Sequence, residues 1–286
     1  MLVGKSGPVD PSTLEVGLPS VSLYGGEVSV VFDATAHRYT VSDVLIEGGK
    51  PFTPPSVTRV LGAMIDRSEF LIPWAAKCSR ETVTKLIQPG VAYTAEEIGR
   101  ISYQVADASK GVLKTACDVG HEFHEWTQNY LLARGGQTDY PTPPQNTQVR
   151  NCCRAAREWI LKVDLQPFSV ERILYSRAHK VIGTADVAAL STISGRTAVI
   201  DWKSSGALHD SYRLQTAIYR LMLHEMTNVW TDDRWLIRVA KNPDANDPGF
   251  HPLLLDPADA DKDTEAFLGM LTGYRRLKEL EACSLT

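Results

Sequence analysis

A chain of 286 residues with 43% hydrophobic and 22% charged residues has a globular composition and enough length to bury a core without covalent staples, which excludes wholesale disorder. Its 20 glycines and 16 prolines exclude collagen-like and low-complexity structure. A formal net charge of -4 excludes a histone-like or tail-driven nucleic-acid binder, while leaving room for a local basic surface.

Taken in chain order, residues 1–18 are rich in Gly, Pro and Ser and read as a loose leader. They lack the apolar stretch of a signal peptide. The runs VSLY, EVSVVF and HRYTVSD between Val21 and Asp43 predict a small β-meander with a turn at Gly25-Gly26. After Pro54-Pro55, Ser56 stands where a helix N-cap would, ahead of VTRVLGAM. Helices are predicted over 74–88, 94–110, 112–134 and 147–163, with PTPPQNT (Pro141 to Thr147) as a loop. Beyond Pro167, SVERILYSR, TADVAALST and RTAVIDWKS read as three successive strands. A helix over 209–226, a strand in RWLIRVAK, a turn-rich KNPDANDPG, a short strand near HPLLL and a helix over 258–282 complete the chain.

This order predicts a helical first half, then a mixed sheet flanked by helices, an α/β (α+β) protein. The expected segments are a leader and meander (1–52) and a second domain (53–286), helical over 53–164 and αβ over 165–286. The five cysteines, Cys78, Cys117, Cys152, Cys153 and Cys283, contain no C-x-x-C pair, so a zinc ribbon and a redox dithiol are not expected. No apolar run is long enough to span a membrane. A soluble protein of a reducing compartment is the expectation. Residues 141–220 carry 11 Lys+Arg against 6 Asp+Glu, so the three-strand block is the basic part of an acidic protein.

The chemistry concentrates after Gly183. Asp186 opens the second strand, and Asp201-Trp202-Lys203 ends the third. Asp201 and Lys203 are two apart, so on a strand they share a face. With Asp186 beside them, two carboxylates and an ammonium would suit a hard divalent cation, Mg²⁺ or Mn²⁺, with the Trp202 backbone carbonyl as a further ligand. Lys203 could polarise a water or offset developing negative charge. Gln215 and Tyr219 lie at i,i+4 on the next helix. His124 could add a nitrogen ligand. H-E-F-H (His121 to His124) is one residue short of the zinc-protease H-E-x-x-H. Taken alone, Asp201 and Lys203 read as a structural ion pair. Trp126, Trp159, Trp202, Trp230 and Trp235 read as core, with base stacking left open for one of them.

Together G-H-E-F-H (Gly120 to His124), G-T-A-D (Gly183 to Asp186), D-W-K (Asp201 to Lys203) and Q-T-A-I-Y (Gln215 to Tyr219) resemble, in order and spacing, the RecB-like exonuclease branch of the PD-(D/E)xK nuclease superfamily. P-S-V-T-R-V-L (Pro55 to Leu61) and W-A-A-K (Trp74 to Lys77) look like phage-encoded members and the mitochondrial genome maintenance exonuclease. The resemblance spans roughly residues 50–240. It implies a restriction-endonuclease-like core, with the helical half building a channel over the active site. It implies Asp186 and Asp201 as metal-binding carboxylates, Lys203 as the catalytic lysine and His124 as a further ligand. Gln215 and Tyr219 would arrange the site and DNA, while Ser204, Ser205 and Ser56 would approach phosphates. Glu171 matches an acid often seen at the start of the first strand, and structural and functional roles stay open for it. Iron–sulfur members carry clustered cysteines near the C-terminus. Cys283 stands alone there, so no cluster is expected.

The implied activity is a Mg²⁺- or Mn²⁺-dependent DNA exonuclease, a hydrolase of phosphodiester bonds at DNA ends, including single-stranded ends. DNA recombination, repair or replication would be its setting, with a recombination or replication protein as partner. The location would be cytoplasmic, in a bacterial host if phage-encoded. The rival readings are a structure-specific endonuclease of the same fold and a non-catalytic nucleic-acid-binding or assembly protein. The intact Asp186, Asp201 and Lys203 argue against the last.

Overall fold

Alternation of apolar and polar residues builds the first layer. The computed structural model describes residues 15–16 and 20–284, so most of the leader lies outside the described residues. Strands β2 (Ser20–Leu23), β3 (Val28–Asp33) and β4 (Arg38–Asp43) form the expected antiparallel meander, and the predicted turn lies at Gly25 and Gly26, both at positive φ. Val28 and Val30 face inward and Ser29 and Val31 outward, as period-two patterning requires. The inner row, with Tyr39 and Val41, packs on Ile173, Tyr175 and Ile182 of the main sheet. The leader contributes one element: β1 (Glu15–Val16) pairs parallel with the edge of that sheet, where no strand was expected.

The main sheet has the order β1-β5-β6-β7-β8-β9. Strands β5 (Leu165–Ser176), β6 (Val181–Ser191) and β7 (Arg196–Lys203) are the three predicted strands, joined antiparallel by short turns. Helix α5 (Asp210–Thr227) then crosses over so that β8 (Asp233–Val239) runs parallel to β7, and β9 (Phe250–Leu254) returns antiparallel. Buried runs in β6 and β7 show that both faces are covered. Trp202 points to one face, where its ring meets Trp159 of α4 (Thr147–Lys162) at 5.6 Å and Phe123 at 6.3 Å. Alternation sends its neighbours Asp201 and Lys203 to the other face, against α5.

The described residues fall into two compact units, one of those up to residue 64 together with those from 123 onward, and one of residues 65–122. Within the first, α1 (Val57–Met64) starts as read from the sequence: the Ser56 hydroxyl accepts the Arg59 N–H at 3.2 Å. C-terminal α6 (Ala260–Ser284) closes the chain. The second unit contains α2 (Ser68–Leu86) and residues 95–122 of α3 (Ala95–Arg134). Two expectations change here. Helix α2 begins six residues early, because Asp66 accepts the Ser68 N–H at 2.8 Å and Pro73 forfeits only one helical bond. The predicted helices 94–110 and 112–134 are one helix. Gly111 costs about 1 kcal/mol of propensity but clashes with nothing, and strong helix formers flank it. A reciprocal cap fixes its start, with Thr94 N–H on Glu97 at 2.8 Å and Glu97 N–H on Thr94 at 3.3 Å.

Candidate metal centre

Strand register assembles the site. In the β5–β6 ladder Val170 pairs with Val187 and Arg172 with Ala185, which sets Glu171 opposite Asp186. In the β6–β7 ladder Val187 pairs with Ile200, and the next step sets Asp186 opposite Asp201. Three carboxylates thus form one row across three strands. Like charges directly opposite destabilise a sheet, so such a row needs compensation.

The row is also where both ladders are disturbed. Glu171 has φ +47°, the left-handed region that a β-strand residue other than glycine rarely occupies. The β6–β7 pairing ends at Val187, and the Trp202 N–H donates instead to Asp186 Oδ2 at 2.8 Å. Asp186 is therefore held in place by a backbone amide of the neighbouring strand. His124 of α3 enters from beside the sheet, with Nδ1 3.4 Å from Glu171 Oε1 and 3.7 Å from Asp186 Oδ2. One ligand atom from each of His124, Glu171 and Asp186 lies within 4.8 Å of the others.

Lys203 lies 2.6 Å from Asp201 Oδ2 and its ammonium sits over the Tyr212 ring at 4.6 Å. Asp201 Oδ1 is buried with no hydrogen-bond partner among the described residues. Burial pushes the Asp201 carboxyl up, Lys203 pulls it back, Asp186 pushes it up again, and it reaches about 6. Burial likewise raises Asp186, against the pull of His124. For His124, burial disfavours the imidazolium, but Asp186 and Glu171 outweigh it and lift its pKa to about 9. Burial opposes the Lys203 charge too, and Asp201 and Asp186 raise its pKa nonetheless.

A cleft of about 470 Å³ opens onto this row. Glu171, Asp186, Thr184, Gln215 and Tyr219 line it together with Ser56, Thr58 and Gln128. Gln215 donates to the Tyr219 hydroxyl at 3.2 Å, and the Tyr39 and Thr184 hydroxyls are 2.8 Å apart. Burial, then Asp201, push the Tyr219 phenol well above its ordinary value, so it stays protonated. Gly183 is required here: a Cβ would come within 2.8 Å of the Tyr219 ring.

Of the residues singled out in the sequence, the structure brings His124, Asp186, Asp201 and Lys203 together, with Gln215, Tyr219 and Ser56 on the cleft wall. Ser56 is engaged as a helix cap. Ser204 and Ser205 lie in the loop after β7 and outside the cleft lining, the Ser205 hydroxyl bonding the Ala207 carbonyl at 2.7 Å. At Trp202 the contact to the row is made through its amide, which donates to Asp186 Oδ2, and in a strand the carbonyl of the same residue points to that same side. Glu171, left open by the sequence, joins the cluster. Its signal was the equal spacing of fifteen between 171, 186 and 201, which means nothing until the register is known. Sequence reading did not single out Gln128, one turn beyond His124, the meander's Phe32, His37 and Tyr39 on the cleft, or Tyr212 under the lysine.

The donor set fits a hard divalent cation. One imidazole and crowded carboxylates, one of them with an orphaned buried oxygen, suit Mn²⁺ or Mg²⁺. No helix among the described residues is long and apolar enough to cross a membrane. The sequence matches no protein-family model and no curated protein. Among solved structures, the chain is similar to an alkaline exonuclease, LHK-Exo from Laribacter hongkongensis, at 14% identity over 56% of this chain and 86% of that one, with a TM-score of 0.29. It is similar to LHK-Exo in complex with dAMP at 12% identity over 57% of this chain and 85% of that one, also with a TM-score of 0.29. A likeness of that size says nothing about chemistry, which rests on the side chains themselves.

Proposed function

We propose that the protein is a divalent-metal-dependent DNA exonuclease. The observation that carries this reading is the row Glu171, Asp186 and Asp201, three acids side by side with His124 and one lysine, beside a cleft that Glu171 and Asp186 line. His124, Glu171, Asp186 and Asp201 would hold Mg²⁺ or Mn²⁺. A bound ion of this kind supplies Lewis-acid stabilisation of the scissile phosphate and a water of lowered pKa.

The chain's own groups do the rest. The Trp202 amide fixes the Asp186 carboxylate by donating to Oδ2, the oxygen that also faces His124. Lys203, kept charged by Asp201 and Asp186, offsets the negative charge that builds on the phosphoryl oxygens during in-line attack. Asp201 and the Tyr212 ring hold that lysine without competing for phosphate. Tyr219 stays a neutral donor and, with Gln215 and Thr184, forms a wall that can bond phosphate or sugar without adding charge. The meander belongs to the site in this reading, because Phe32, His37 and Tyr39 line the same cleft. Preference for DNA ends follows from the family resemblance.

The test is digestion of end-labelled linear DNA and of closed circular single-stranded DNA, with Mg²⁺, Mn²⁺ or EDTA. Metal-dependent shortening of linear DNA from an end is expected, with Lys203→Ala slower by on the order of 10²-fold, as when one transition-state donor is lost. Cutting of the circles makes the enzyme an endonuclease. No cutting with either ion overturns the nuclease reading.

A further inference from the structure

A second cleft, of about 590 Å³, lies between α3, α4 and the proline-rich loop that joins them. Its position on α3 separates it from the metal centre. His124 and Gln128 share one face of that helix, while Trp126 and Tyr130, also i,i+4, lie roughly 120–160° around it from them. Three features make the cleft a built surface.

The first is aromatic. Trp126 and Tyr130 stack at 5.1 Å with ring planes 12° apart, and Tyr140 leans on Tyr130 at 5.3 Å while 60% exposed. The second is charge. Arg150, Arg154 and Arg157 follow one another at i, i+4 and i+7 along α4, and no acidic residue lines the cleft. Arg154 and Arg157 are exposed, and no ion pair engages either among the described residues. In a chain of net charge -4, three arginines without an acid in one cleft is a local inversion. The third is rigidity. Pro141, Pro143 and Pro144 lack N–H groups, and the loop's carbonyls are tied down by side chains instead. Trp126 Nε1 donates to the Thr142 carbonyl at 3.0 Å, and Arg150 to those of Pro144 and Gln145, both at 3.0 Å.

We infer that this cleft is an accessory site for single-stranded nucleic acid, in which bases stack on Tyr140 and on Trp126, which the buried Tyr130 backs, while Arg154 and Arg157 hold phosphates. Stacking needs unpaired bases, and an arginine stripe beside aromatic faces matches the alternation of phosphate and base along a single strand. A helix is about 10–12 Å across, a span of a few nucleotides, so one strand could be held here and cleaved on the other side of α3. The cleft would then retain the strand between cuts. The inference deepens the nuclease reading in naming a strand type, but binding at the cleft can be measured without cleavage.

The experiment is fluorescence anisotropy of a short labelled oligothymidylate with the full chain in EDTA, alongside an unlabelled duplex of equal length as competitor. The wild type is expected to bind the single strand in preference to the duplex. Tyr140→Ala should weaken binding roughly 5- to 150-fold, the effect of losing one stacked base. R154E/R157E should weaken it at least tenfold and flatten the salt dependence by about 1.4 in log–log slope, two single-strand phosphate contacts' worth. These side chains are exposed, and unchanged circular dichroism and melting would confirm the fold. Wild-type affinity in both variants, or equal affinity for duplex and single strand, overturns the accessory site. If that happens while metal-dependent cleavage of linear DNA persists, the nuclease reading stands without it. Loss of affinity in the variants of a protein that cleaves nothing leaves the cleft as a strand-binding site and removes the nuclease.

Discussion

Strand β5 carries two buried charged clusters, and they are built on opposite principles. Just past its C-terminal end Arg177 bonds both oxygens of the fully buried Asp43 at 2.8 and 2.9 Å and reaches Glu27 at 2.6 Å. Asp43 also caps the Leu45 N–H at 3.0 Å, and the nearby Glu225 accepts from Ser176, Ala178 and Tyr24. Every acid there has matching donors. Six residues before Arg177, within the strand, Glu171 faces Asp186 and Asp201 with one lysine and one imidazole between the three, a strained backbone, and a buried carboxylate oxygen without a partner. The first cluster ties the meander to the sheet. The second holds surplus negative charge, which is the condition a cation would relieve.

Substitution should separate the two. Asp186→Asn keeps an oxygen for the Trp202 N–H and removes one of three like charges, so the melting temperature should hold or rise. Cleavage should fall by on the order of 10³-fold or more, the several kcal/mol that a lost metal contact represents. Assays of the initial rate at saturating Mn²⁺, with a thermal melt of the same sample, give both readings. A variant that melts early and still cuts would make the acidic row a structural device and erase the contrast.

The converse substitution is Arg177→Ala. It strands Asp43, whose side chain is fully buried, and should cost about 3–5 kcal/mol, seen as a lower urea midpoint. The rate per folded molecule should stay within a few-fold, because the meander contributes cleft walls but none of the charged row. If stability is unchanged, the arginine is a surface residue and the two ends of β5 differ less than their hydrogen bonds indicate.

The same contrast explains what could be read in advance. Asp201, Trp202 and Lys203 are adjacent in sequence, so strand alternation alone predicted their common and opposite faces. The i,i+4 rule placed Gln215 with Tyr219, and N-cap chemistry placed Ser56. Glu171 could not be placed this way. Its position depends on a register irregularity between Pro167 and Ser169 and on a left-handed backbone, and neither has a local residue signal such as glycine. The uninterrupted α3 was hidden for a related reason, because glycine lowers helix propensity without forbidding the helix when good formers surround it. The two residues of β1 and the role of the meander as a cleft wall are tertiary choices, decided by which surface was left to cover.

The smallest expected effect is the most specific to the unbalanced cluster, and it comes from His124. In the metal-free protein burial lowers its pKa, while Asp186 and Glu171 raise it further, to about 9, above the roughly 6.5 of an unfolded histidine. Its contribution to stability is therefore full below about pH 6.5 and lost as pH rises through 9. A metal ligand must be a neutral imidazole, so ion binding has to expel that proton. Mn²⁺ affinity should accordingly climb about tenfold per pH unit between 7 and 9, with close to one proton released per ion in calorimetry at pH 7–8. Near pH 6 and below the slope should steepen, as the Asp201 carboxyl, raised to about 6, begins to hold a proton as well. His124→Ala should flatten the upper range and weaken Mn²⁺ more than Mg²⁺, which favours oxygen donors. A flat affinity in the wild type from pH 7 to 9 would mean that the imidazolium stays in place as a counter-ion to Glu171 and Asp186, and that this cluster, like the one at Arg177, is balanced by the protein alone.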